Sequence, residues 1–79
     1  MKIKITKHAE DRMRKYGLGK VLLIKAVLDP DCIVKGKFGR KIAQKTLDER
    51  YLLRVVFEEK GEQLIVVTCY KARRERYEC

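Results

Sequence analysis

One histidine and one arginine near the N-terminus have a spacing suited to chemistry on a phosphate. His8 is the only histidine of the chain, and Arg12 follows it by four positions in "ITKHAEDRMRKYG". On a helix this spacing puts both side chains on one side. An imidazole exchanges protons near neutral pH, and a guanidinium binds phosphate oxygens with a two-pronged donor. The alternative is that both residues are ordinary polar groups on a solvated helix surface.

A second arginine interrupts an apolar segment. Arg54 lies in the middle of "LLRVV", and side-chain alternation along strands predicts that it shares a sheet face with Thr68 and Tyr70. An unpaired buried guanidinium is unfavourable, so Arg54 should reach solvent, pair with a glutamate of "EEKGE", or bind a phosphate.

The segment "GKFGRK" adds two further cations, Arg40 and Lys41, beside two glycines. Glycine allows close approach of backbone to a ligand, and cations attract phosphate. The pattern matches no established phosphate-binding loop, so an ordinary hairpin turn is the alternative. Arg40 has the same strand parity as Gln44, which makes the glutamine a further candidate contact.

These residue types meet the needs of RNA cleavage without a metal. A base takes the 2′-hydroxyl proton, cations stabilise charge at phosphorus, and an acid protonates the leaving 5′-oxygen. The acidic residues fall mostly in segments typical of helix surface and turns, so we expect no metal site and no cofactor. The candidate catalytic residues are His8, Arg54 and Tyr70, and the candidate RNA or phosphate contacts are Arg12, Arg40, Lys41, Gln44 and Thr68.

Composition favours a polyanionic partner. The 79 residues carry a net charge of +9, which favours nucleic acid through neutralisation of phosphates. The longest apolar runs, "VLLI" and "LIVV", are far shorter than the roughly 20 residues of a membrane span, and no secretory signal is evident. We expect a single domain, residues 1–79, in the cytoplasm and without membrane association.

The cysteines give no metal or disulfide signature. Cys32, Cys69 and Cys79 form no CxxC pair, and one histidine leaves too few ligands for a zinc site. The odd count fits a reducing compartment. We expect Cys32 and Cys69 to be small buried apolar side chains and Cys79 to lie in a frayed terminus.

The elements that must position these residues follow from periodicity. Thr6 as N-cap and Gly17 as C-cap predict a helix over 7–16, and an almost wholly apolar segment predicts a second over 20–28. A period of two predicts strands at 32–37, 41–47, 51–57 and 63–70, with "KIKI" as a short first strand. The tail "KARRERYEC" is expected to leave the sheet quickly.

Short connections between the later strands favour an antiparallel meander. We predict an α+β fold with both helices packed on one face of a mainly antiparallel sheet of four to five strands. Parity predicts that the residues facing the helices are Tyr51, Leu53, Val55 and Phe57, with Ile65, Val67 and Cys69 from the last strand.

Several strings together resemble a known family. H-A-x-x-R-M-x-x-Y-G-L from His8 to Leu18, then "LDPD", "GRKIAQK", "YLLRVVFEE" and "IVVTCYKARRERY", are similar to a family of small prokaryotic domains. That family is grouped with the barnase, EndoU, colicin and RelE-like ribonuclease toxins. The resemblance implies a RelE-like fold and links the family's H-xxx-R, G-R and T-x-Y motifs to the corresponding residues here.

What the resemblance implies for function is RNA cleavage by basic residues and an aromatic on the exposed sheet face, with Arg40, Arg54 and Tyr70 in those roles. We therefore expect an endoribonuclease of toxin–antitoxin type, acting on RNA or on ribosome-bound mRNA and paired with an acidic antitoxin. The alternative is a non-catalytic basic module that binds RNA or the ribosome. His8 joins the arginines only if the helix rim faces them.

Overall fold

Two helices and a five-stranded mixed sheet make up the fold in a computed structural model, which describes residues 2–77 and 79. The α+β class and both helix ranges are as predicted. In chain order the elements are β1 (Lys2–Ile5), α1 (Lys7–Tyr16), α2 (Lys20–Leu28), β2 (Cys32–Lys35), β3 (Lys41–Thr46), β4 (Tyr51–Lys60) and β5 (Gln63–Arg73), with short 3-10 turns at Lys37–Gly39 and Arg74–Arg76.

The sheet has the order β1-β5-β4-β3-β2. Strands β2 to β5 form the predicted antiparallel meander, since short turns join each pair. Strand β1 adds to the far edge and runs parallel to β5. Strands β4 and β3 therefore lie inside the sheet, and β2 is an edge strand.

Helix α1 is fixed to β5 through its N-cap. The Thr6 hydroxyl accepts a hydrogen bond from the Ala9 backbone N–H at 3.1 Å and donates one to the Val67 carbonyl at 2.9 Å. Gly17 ends the helix with φ 65°, a conformation that glycine adopts without a Cβ penalty. One threonine thus sets both the start of the helix and its position on the sheet.

A single buried cluster joins the helices to the sheet. Helix α1 packs against β5, and α2 packs against β3 and β4. Cys69 is fully buried in this cluster as a free thiol, as predicted. The members are Ala9, Met13, Leu23, Ala26, Val27, Ala43, Leu53, Val55, Phe57, Leu64, Val66 and Cys69.

A β-bulge corrects the predicted facing of β5. Val56 pairs with Thr68, but the next residue of β4 pairs with Val66, so one residue of β5 is extra. An extra residue reverses the side-chain alternation beyond it. Leu64 and Val66 are therefore buried, in place of the predicted Ile65 and Val67, which are only half-buried.

The C-terminus corrects two further predictions. Strand β5 continues to Arg73, so the tail does not leave the sheet at residue 70. Cys79 is not at a frayed end, because it forms a disulfide with Cys32 of the edge strand. The two cysteines are 47 positions apart, and only the return of the chain across the sheet brings them together.

Candidate nucleic-acid interface

One row of side chains crosses four strands on the sheet surface that carries Arg54. Cys32, Gln44, Arg54 and Tyr70 are successive partners in the β2–β3, β3–β4 and β4–β5 ladders. Their neighbours in sequence, such as Val55, belong to the buried cluster, so the row points to the opposite side of the sheet. We call this surface the Arg54 face and define it by these four residues.

Arg54 is buried although it lies on this face. Only 6% of its surface is exposed. Its guanidinium carbon lies 3.9 Å from the ring centre of Tyr77 and 5.8 Å from that of Tyr70. The two aromatic rings therefore provide cation–π contacts in place of solvent.

The guanidinium has no anionic partner within the described part of the chain. Its Nε atom is buried and makes no hydrogen bond, and no carboxylate of residues 2–77 lies within 4.0 Å of it. The glutamates that could have paired with it pair elsewhere, since Glu58 binds Arg40 and Glu59 binds Lys41. A buried guanidinium in this state can accept an external anion as its partner.

Tyr70 keeps its proton in this environment. Burial raises the pKa of Tyr70, the Arg54 guanidinium opposes that rise, and the Tyr77 phenol adds to it. A neutral phenol beside a guanidinium can donate a hydrogen bond to a phosphate oxygen or pass a proton to a leaving oxygen. Arg54 and Tyr70 therefore combine a positive charge with a proton donor.

Two clefts flank Tyr77. The larger, about 600 Å³, includes Gln44, Tyr77 and Cys79 in its wall. The smaller, about 310 Å³, includes Tyr70 and Tyr77. Tyr77 thus lines both clefts, and each cleft also includes one ladder neighbour of Arg54, Gln44 in the larger and Tyr70 in the smaller.

The smaller cleft combines aromatic rings with positive charge. Its other lining residues are Tyr51, Lys71, Ala72, Arg73 and Arg76. Aromatic side chains stack on bases, and cations beside them contact phosphates, which is the composition of single-strand binding surfaces.

The other predicted phosphate contacts have different surroundings. Arg40 Nε donates to Glu58 Oε1 at 2.8 Å, and this hydrogen bond lowers the pKa of Glu58. Lys41 Nζ donates to Glu59 Oε1 at 2.7 Å. Thr68 is half-buried and pairs with Val56, on the row next to Arg54. Arg40 and Lys41 are thus already paired with carboxylates.

Gln44 also has partners within the protein. It is 3% exposed, and its Nε2 donates to Cys32 Sγ at 3.4 Å and to Cys79 Sγ at 3.2 Å. Gln44 is the ladder partner of Arg54. Its amide, however, faces the disulfide rather than open solvent.

His8 and Arg12 lie on α1, whose buried residues Ala9 and Met13 belong to the same cluster as Cys69. Between them, the Ala9 carbonyl accepts a hydrogen bond from Cys69 Sγ at 3.8 Å. Burial raises the pKa of Cys69, and the charge of Arg12 opposes the rise. Tyr70, the next residue, points to the other side. Within residues 2–77, no hydrogen bond or ion pair links His8 or Arg12 to Arg54 or Tyr70.

Sequence reasoning missed Tyr77 and the cysteine pair. The one signal for a covering segment was Arg54 itself, because an arginine in an apolar strand needs a partner over it.

No helix of the described residues is long and apolar enough to cross a membrane.

Comparisons with protein-family models, with curated proteins and with solved structures found no match. The site therefore has to be interpreted from its own geometry.

Proposed function

We propose that this chain is a metal-independent endoribonuclease of toxin–antitoxin type, and that RNA binds on the Arg54 face. The observation that carries the proposal is the buried Arg54 guanidinium, which lies between two tyrosines and has no carboxylate partner among the described residues. A net charge of +9 supplies the attraction for RNA.

In the proposed reaction the 2′-oxygen of RNA loses its proton and attacks the adjacent phosphorus, and the bond to the 5′-oxygen breaks. Arg54 stabilises the charge that develops on the phosphoryl oxygens. Tyr70 is a neutral phenol at physiological pH, and burial raises its pKa further. In the proposal its hydroxyl protonates the leaving 5′-oxygen. His8 is the candidate base, and it would have to act from the rim of α1.

The placement of the two helices relative to the sheet is part of the same proposal. We place both helices on the side of the sheet opposite the Arg54 face, as in a RelE-like domain. The proposed location is the cytoplasm, and the proposed partners are RNA or the ribosome and an acidic antitoxin. The cations of the small cleft, such as Arg73 and Arg76, offer an acidic protein the same attraction that they offer RNA.

The test is cleavage of RNA, free and on programmed ribosomes, by reduced protein in the presence of a chelator. We expect Arg54→Gln and Tyr70→Phe each to lower the cleavage rate by about 100-fold, since each removes one group that acts on the transition state. Arg14→Gln is the matched control, because it removes one exposed arginine, paired with Asp11, from the same chain. Equal rates for wild type and Arg54→Gln would contradict the proposal.

His8→Ala tests the base separately. If His8 reaches the site, the cleavage rate falls. If the rate is unchanged while Arg54→Gln is inactive, the histidine is excluded from the mechanism and the proposal remains.

A second function is favoured by one observation, namely that no contact of the described residues joins His8 to the Arg54 face. Without a base, the same surface would bind RNA and leave it intact. This non-catalytic module predicts RNA affinity that falls steeply with salt and depends on Arg54, with no cleavage in any condition.

A further inference from the structure

We propose that the C-terminal strap, residues 74–77 and Cys79, is a redox-controlled cover over the Arg54 face. With the Cys32–Cys79 disulfide formed, the strap closes the face, and reduction of the disulfide opens it. The inference rests on the proposed function in one respect, that the ligand admitted by opening is RNA.

Tyr77 is the part of the strap that closes the site. Its ring lies 3.9 Å from the guanidinium carbon of Arg54, and the residue lines both clefts. Movement of this one side chain would join the clefts into a groove that passes over Arg54. The buried Nε of Arg54 would then face the groove.

The anchors of the strap differ at its two ends. At the beginning, Arg74 donates from its backbone N–H to the Arg50 carbonyl at 2.9 Å and from its side chain to the Asp48 carbonyl at 3.2 Å. At the end, the described anchors are the disulfide, the Gln44 amide on Cys79 Sγ at 3.2 Å and the Tyr77 ring on the Arg54 guanidinium at 3.9 Å. Breaking the disulfide removes the covalent anchor and leaves this end held by these noncovalent contacts, while the beginning stays attached to the sheet.

The chemistry of opening is thiol–disulfide exchange with a small thiol of the glutathione class. Its thiolate attacks Cys79 Sγ, which lies on an exposed residue, and the bond to Cys32 Sγ breaks. Cys32 leaves as a thiolate, and the Gln44 amide at 3.4 Å donates a hydrogen bond to it. A second small thiol then attacks the mixed disulfide and releases Cys79. Two electrons pass to the protein, both cysteine thiolates take up protons, and the small thiol leaves as its own disulfide.

The device matches the proposed cytoplasmic setting. Glutathione keeps cytoplasmic thiols reduced, so the face would be open in ordinary conditions and would close under oxidation. Closure is the reverse exchange, in which the disulfide of the small thiol accepts the two electrons, and no second protein is needed because both cysteines belong to the same chain. Cys32 and Cys79 are 47 positions apart in sequence, so the folded sheet is what brings them close enough to form the disulfide.

The first measurement does not involve RNA. Oxidised and reduced full-length protein are treated with phenylglyoxal, which modifies arginines, and modification of Arg54 is followed by peptide mass spectrometry, with maleimide labelling to count free thiols. We expect Arg54 to react about tenfold faster after reduction, because it is 6% exposed in the closed state. Cys79→Ser should react at the fast rate with and without reductant. Two results would overturn the strap proposal. The first is equal Arg54 reactivity in protein whose Cys32 and Cys79 are both labelled by maleimide and in protein where neither is labelled. The second is failure of the Cys32–Cys79 disulfide to form in a glutathione redox buffer.

The second measurement is affinity for a fluorescein-labelled oligouridine at fixed salt. Reduction should tighten binding by about tenfold, the effect expected when one buried cation gains a phosphate. Tyr77→Ala should bind tightly even when oxidised, and Cys79→Ser should lose its response to reductant. If Arg54 becomes reactive on reduction but no RNA binds in either state, the proposed function fails and the strap stands. If Arg54→Gln weakens RNA binding equally in both redox states, the function stands and the strap fails.

Discussion

At the scale of single residues, Arg54 combines a cost to stability with a use in binding. Arg54 is only 6% exposed, so its guanidinium loses hydration, and the contacts with Tyr70 and Tyr77 replace only part of that hydration. Natural proteins accept such a group where it serves function. We therefore expect that replacing Arg54 leaves the free energy of unfolding nearly unchanged and removes RNA binding.

Arg54→Met tests that expectation. Methionine fills similar space and contacts aromatic rings without burying a charge, so the free energy of unfolding should stay within about 1 kcal/mol of wild type or rise. RNA affinity should fall by about tenfold or more. Urea titration and RNA titration of the same samples check both. A loss of more than about 2 kcal/mol would mean that Arg54 serves the fold rather than a ligand.

The proposed role of Tyr70 as a proton donor depends on two neighbouring side chains, those of Arg54 and Tyr77. Burial and Tyr77 raise its pKa, while Arg54 lowers it, so the phenol stays protonated across neutral pH. The sequence placed Tyr70 correctly beside Arg54, because strand parity up to the bulge is unbroken. It could not place Tyr77, since no periodicity describes a segment that turns back over the sheet.

At the scale of elements, local signals were sufficient for the helices and insufficient for the last strand. Thr6 and Gly17 cap α1 where predicted, because capping depends on residues close in sequence. The bulge near Val67 had no local signal in an unbroken apolar run. The end of β5 was also misplaced, because its pairing with β4 continues through "KAR", where charge suggested a departure.

The attachment of β2 to β3 through Asp31 predicts how the stability of the fold depends on pH. Asp31 fastens the start of β2 to β3, since its Oδ2 accepts from the Thr46 N–H at 2.7 Å and its own N–H donates to the Gln44 carbonyl at 2.7 Å. The hydrogen bonds from Thr46 lower the pKa of Asp31, against a smaller effect of burial. The carboxylate therefore stabilises the fold above its unfolded pKa of about 3.9 and loses that contribution as pH falls through the lowered value.

Asp31→Asn should accordingly lower the melting temperature at pH 6 and make it less sensitive to acid between about pH 5 and pH 2. Asp29→Asn is the matched control, because Asp29 lies two residues away and is 79% exposed, with one ion pair to Lys45. Thermal melts at both ends of the range measure the difference. If the two variants show the same pH slope, the Thr46 hydrogen bond is not the source.

At the scale of the whole molecule, the disulfide makes the edge strand and the C-terminus mutually dependent. Strand β2 lies at the end of the sheet and pairs with β3 alone, so Cys32 gains a second attachment through Cys79. A chain of 79 residues has a small core, and one covalent link is then a large share of its stability. The proposed switch therefore changes stability together with access to Arg54.

The last prediction follows from that coupling. The disulfide closes a loop with a sequence separation of 47, and such a link typically contributes about 2–4 kcal/mol by restricting the unfolded chain. Reduced wild type and Cys79→Ser should therefore unfold at the same lower urea midpoint, and oxidised wild type should unfold at a higher one. Cys69→Ala serves as the control, because that thiol is free, so its midpoint should still shift on reduction. Coincident midpoints for oxidised and reduced wild type would show that the strap is not tied to β2 in solution. The reduced protein must remain folded at zero urea for an open, RNA-binding state to exist, and the same titration measures this.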